Sequence, residues 1–108
     1  MAGHYPLNRN LELKVFTRLE FLKKELLKRL SDLKEGQKTN ISNLTVIKLP
    51  SDFTENPQSE IAFSIGKFTL QEDFGVDNWL AEDCFLECHF EISKNRKNIK
   101  LIKVFWVI

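Results

Sequence analysis

Glycine is scarce in this chain, and proline, cysteine and histidine are scarcer: four, three, two and two residues in 108. Each scarcity removes a class of function. The glycines stand singly at positions 3, 36, 66 and 75, so no glycine-rich loop is available to cradle a phosphate. Two cysteines are too few to staple a disulfide scaffold. Charge of one sign is also lacking: the net charge is +1, so no overall field draws the chain to nucleic acid or to a membrane. No apolar run is long enough to span a bilayer, and no amino-terminal apolar segment has the form of a signal peptide. The expectation is a cytoplasmic protein with free thiols.

What is present is one strong period. From Asn10 to Gly36, apolar residues fall at Leu11, Val15, Leu19, Leu22, Leu26, Leu30 and Leu33. Steps of three and four place all seven on one face of a helix. Asn8 and Asn10 are both suitable N-caps. Gly36 suits the position just past the last turn, where positive φ costs glycine little. Glu20 with Lys24, and Glu25 with Arg29, are spaced for ion pairs in the favourable order. Phe16, Phe21 and Leu27 widen the apolar face beyond the two-position seam of a coiled coil, so the spacing predicts a helix on a sheet over residues 10–35.

The rest of the chain alternates in twos. Leu44–Leu49 reads as a first strand closed by Pro50, and Ser51–Glu60 as a polar loop. Ile61–Leu70 reads as a second strand whose apolar parity switches after Gly66, which predicts a bulge or bend there. Gln71–Asp83 is an acidic loop with a possible helical turn over Asp77–Ala81. In Phe85–Ser93, Leu86, Cys88, Phe90 and Ile92 face one way. Glu87, His89, Glu91 and Ser93 face the other, which predicts a half-buried strand with its polar face in water. Lys94–Asn98 is a turn, and Ile99–Ile108 a last strand apolar on both faces. The fold class is therefore α+β in a single domain, 1–108: one long N-terminal helix packed on a four-stranded antiparallel meander over residues 44–108, in the order α-β-β-β-β.

Several constellations invite chemistry. Cys84, Cys88 and His89 have the residue types of a zinc site, but their spacing is wrong and His89 points away from Cys88; a core cysteine and a surface histidine is the better reading. Cys84 and His89 lie too far apart along a strand for a nucleophile–base pair, unless His4 approaches instead. The acid pairs Glu72-Asp73 and Glu82-Asp83 are typical of solvated loops. No catalytic residues, metal or cofactor are implied.

The surfaces left over point to binding. Residues 51–83 hold eight acids against Lys67, a net charge of −7. Within them Glu72, Asp73, Phe74, Asp77, Trp79, Glu82 and Asp83 combine acids with aromatics, a surface suited to a basic protein partner. The two-faced apolar strand predicts a homodimer or partner interface at Val104, Phe105, Trp106 and Ile108, because one helix covers only one face. The expected function is a small non-enzymatic protein-binding module of inhibitor, immunity or accessory-subunit type. The alternative is nucleic-acid binding through Lys23, Lys24, Lys28 and Arg29 on the helix and Lys94, Arg96 and Lys97 in the turn.

Overall fold

The computed structural model describes residues 4–42, 44–66, 85–95 and 97–107. The described residues hold one α-helix, α1 (Arg9–Asp32), a 3-10 turn at Ser51–Phe53, and six strands: β1 (His4–Pro6), β2 (Lys38–Ile41), β3 (Leu44–Lys48), β4 (Glu60–Gly66), β5 (Phe85–Ile92) and β6 (Ile99–Val107). The strands form a single antiparallel sheet in the order β1-β6-β5-β4-β3-β2. The α+β architecture is as the spacing implies, but the sheet has six strands rather than four. Both unforeseen strands are edges. Neither alternates cleanly, because an edge strand is only half enclosed: β1 is exposed throughout, and Ile41 alone is buried in β2.

The helix begins where Asn8 accepts from the Leu11 N–H at 2.8 Å, a side-chain cap on the first turn. Its 24 residues make a rod of about 36 Å. It ends at Asp32, earlier than expected. The extended residue Leu33 returns its N–H to the Leu30 carbonyl. Gly36 is therefore not the helix cap. It takes φ +84° in the turn closed by the Gln37 N–H on the Lys34 carbonyl, and this turn leads into β2. Lys48 then reaches back from β3, donating from Nζ to the Leu33 carbonyl at 3.0 Å.

The core lies between helix and sheet. Leu11, Val15, Leu19, Leu22, Leu26 and Leu30 are all buried, and Leu33 is half-buried against them. From the sheet come Ile41, Leu44, Val46, Phe63, Ile65, Leu86, Cys88 and Phe90, with the Phe63 and Phe90 rings 5.0 Å apart. Phe21 does not widen this face; it is exposed on the other side of the helix.

The last strand is resolved by an irregularity. Between the pairs His89–Lys103 and Phe90–Leu101, Ile102 has no partner, so β6 bulges there. One inserted residue reverses the facing of all that follow. Ile99 and Leu101 before it, and Val104 and Trp106 after it, consequently all enter the core. The apparent two-faced apolar strand is one core face interrupted by a change of parity. β1 pairs only with residues 105–107 of β6. Along the open edge beyond it, Lys100 and Lys103 are exposed, a common guard against edge-to-edge pairing.

Candidate functional site

The face of the sheet turned away from the helix holds the polar interior of the protein. Its residues follow from register. Glu87 and His89 alternate out of the core along β5, so they share this face with Phe105 and Lys103, their opposite numbers on β6. His4 and Pro6 of β1 lie beyond Phe105. Alternation predicts water on this face, yet Glu87 and His89 are both buried. The half-buried-strand expectation fails at these two positions.

Their burial is matched by hydrogen bonding. His89 Nε2 lies 2.7 Å from Glu87 Oε2, with the two side chains only 5% and 6% exposed. The other carboxylate oxygen, Oε1, is 3.6 Å from His4 Nε2, whose side chain is 58% exposed. Phe105 stands between the two imidazoles. Its ring is edge-on to His4 at 4.7 Å and tilted against His89 at 5.7 Å. His89 Nδ1 is buried with no hydrogen-bond partner among the described residues. Removing one member of this buried hydrogen bond leaves the other's polar atoms unsatisfied, at about 1–3 kcal/mol.

Around this centre the charges are spoken for. Lys103 Nζ bonds Glu55 Oε1 at 3.0 Å. That bond and the lysine charge hold the Glu55 carboxyl below the usual carboxylate range, and the same bond holds the Lys103 ammonium above the usual lysine range. Further along the same face, the ring of Phe85 lies over Gly66 of β4. A cleft of about 380 Å³ opens beside His4, between Glu12 and Phe16 of the helix and Lys103 and Phe105 of the sheet. Cys88 is turned the opposite way, into the core, and burial pushes its thiol far up from the ordinary cysteine value. A thiol so placed is neither a metal ligand nor a nucleophile. Among the described residues, no three of His, Cys, Asp and Glu converge to hold a metal.

The expected binding residues separate into three groups. Glu72, Asp73, Phe74, Asp77, Trp79, Glu82 and Asp83 lie outside the described residues, as do Cys84 and Ile108. Val104 and Trp106 are core residues, because the bulge turns them under the helix. Phe105 is half-buried on the polar face, between the histidines.

The basic helix face is different from expectation as well. Glu20 bonds Lys23 rather than Lys24, and Arg29 lies 4.0 Å from Glu25. Lys23 and Arg29 are thus engaged on the flanks. The stripe opposite the core runs Leu13, Thr17, Phe21, Lys24 and Lys28, steps of four, four, three and four. Phe21 is 83% and Leu13 64% exposed on it, with Lys14 alongside. Among the described residues, no acid lies within ion-pairing distance of Lys14, Lys24 or Lys28. Sequence reasoning missed this surface because it took Phe21 for core. The signal was there: Phe21 directly precedes Leu22, and adjacent residues stand about 100° apart on a helix.

No protein-family model, no curated protein and no solved structure matches the chain. Among the described residues, no helix is long and apolar enough to cross a membrane.

Proposed function

We propose that the protein is a small non-enzymatic protein-binding module, of inhibitor, immunity or accessory-subunit type, which uses the outer face of α1 as a docking surface. One observation carries the reading: Phe21, the middle of the longest element, stands 83% exposed on the side opposite the core. A lone surface apolar residue is ordinary. Here Leu13 accompanies it two turns away, and Lys14, Lys24 and Lys28 surround both without acid partners among the described residues. An aromatic anchor within a charged rim is the usual composition of an interface centre. The partner's complementary patch is acidic with an apolar pocket for Phe21. The acidic stretch from Glu72 to Asp83 adds a second contact of opposite sign, toward a basic surface.

The same lysines support a second reading, a nucleic acid on this face. Three phosphate contacts would give a log–log salt slope of only about −3, and correspondingly weak binding. That weakness, and the apolar pair, favour a protein.

The test compares wild type, Phe21→Ser/Leu13→Ser and Lys24→Glu/Lys28→Glu as immobilised bait in the native lysate, each checked for an unchanged melting temperature. The expected result is one set of proteins lost from both variants, with an acidic patch in the retained partner. Equal retention by all three would exclude the helix face. A gel shift of single- or double-stranded DNA abolished in the lysine variant would transfer the function to nucleic acid.

A further inference from the structure

We infer that a second copy of the chain occupies the outer face of α1 when no other protein does, the two helices packing across a two-fold axis at Thr17. The inference rests on the docking surface proposed above and names its occupant in the free protein. Residues at steps of four form an inclined row along a helix. On the outer face one such row reads Arg9, Leu13, Thr17, Phe21 and Glu25, and all five are exposed. The row is its own complement. Reversed about Thr17, it sets Leu13 of one copy against Phe21 of the other, and Arg9 against Glu25. A two-fold axis makes each of these contacts twice, as a self-complementary interface requires.

Each residue suits its place in that arrangement. Thr17, at the axis, is small enough to let two helices approach, and its hydroxyl already donates to the Leu13 carbonyl at 2.8 Å. Covering it therefore strands no donor. Leu13 and Phe21 are the two most exposed large apolar side chains among the described residues. At the ends of the row, Arg9 has no acid within ion-pairing distance among the described residues. Glu25 is met only by Arg29, at 4.0 Å. The row is inclined about 26° to the helix axis, so its reversal crosses the two axes at about 50° and confines contact to these residues. Lys14, Lys24 and Lys28 stand to either side of it. A single helix pair covers less than the roughly 800 Å² per partner of a standard interface. The dimer is accordingly weak and yields to a partner that covers more, so self-association governs access to the docking face.

The experiment is sedimentation velocity at low salt, from about 10 μM to about 1 mM chain. Wild type is expected to pass from monomer toward dimer mass across that range. Arg9→Glu alone and Glu25→Arg alone each place like charges at both ends of the row, and each should weaken dimerisation about tenfold. An equimolar mixture of the two variants restores opposite charges at both ends and should associate as wild type does. A fault in folding cannot produce that rescue, and equal melting temperatures at the lowest concentration confirm that both variants fold. A wild type that stays monomeric throughout, or a mixture no heavier than its components, would overturn the inference. A monomeric wild type whose lysate partner is lost on Phe21→Ser/Leu13→Ser would overturn the dimer and leave the docking face standing. A dimer rescued by the mixture, with no lysate protein retained, would uphold the dimer and remove the other partner.

Discussion

A methyl group added at Gly66 would sit 2.6 Å from Cε1 of the Phe85 ring. The glycine marks a close approach: the aromatic side chain of one strand covers the bare backbone of its neighbour, as aromatics do over strand glycines; the bulge expected after it would fall on residues 67–70, outside the described residues. Gly66→Ala must push the ring aside. We expect a loss of about 1–2 kcal/mol in urea unfolding, and recovery of most of it when Phe85→Leu is added, since contacting residues couple. Additive losses would mean that the ring is not the obstacle.

The helix offers a paired test of facing. Leu22 is buried and Phe21, its neighbour, is exposed. Leu22→Ala should cost roughly 2–5 kcal/mol, the toll of a core cavity. Phe21→Ala should fall within about 0.5 kcal/mol of wild type, as surface changes do. The two thermal melts decide it: equal losses would show that the helix is rotated from the position described.

Ser42 closes the β2–β3 hairpin at φ +55°, a left-handed conformation that costs a residue with a side chain roughly 1–2 kcal/mol. Its hydroxyl accepts from Arg18 Nη2 at 2.9 Å in an exposed position, a bond of modest worth. Relief of the backbone should exceed the loss of that bond. Ser42→Gly is expected to raise stability by about 0.5–1 kcal/mol in chemical denaturation. A destabilised variant would reverse the balance between the two effects.

The Glu55–Lys103 pair should leave its mark at acid pH. The Glu55 carboxyl is held low by the Lys103 hydrogen bond and charge. Its contribution is therefore present above the ordinary carboxylate range, and is lost as pH falls through the lowered folded value. Lys103 is held high, so the pair persists upward until pH passes the raised lysine value. NMR titration of the Glu55 carboxyl should show it returning toward the ordinary range in Lys103→Met. An unmoved titration would mean that the ion pair does not form in solution.

These positions also show where sequence reading succeeds. The stripe Leu11 to Leu30 is legible because one element repeats one spacing against one core. The edges are not. Lys38-Thr39-Asn40-Ile41 has a single core residue, and His4-Tyr5-Pro6 contains a proline, so neither carries a period that distinguishes it from a loop. The bulge at Ile102 leaves no glycine to announce it. Without the parity change, Phe105 and Trp106 look like two apolar faces that need a partner. Glu87 and His89 are hidden for the opposite reason: alternation reports which way a side chain points, not what lies above it. Their pairing across two residues of one strand needs coordinates to be seen, as does the approach of His4 from the other end of the chain.

Ile102 can be regarded as a single extra bead on a string whose pattern is complete without it. Strike it out, and Ile99-Lys100-Leu101-Lys103-Val104-Phe105-Trp106-Val107 alternates without fault, every residue keeping the facing it has now. A strand so mended would lie flatter and present an uninterrupted edge beyond β1, open to another strand. The inserted residue does nothing to fill the core. It breaks the ruler along which a neighbouring chain would otherwise measure itself.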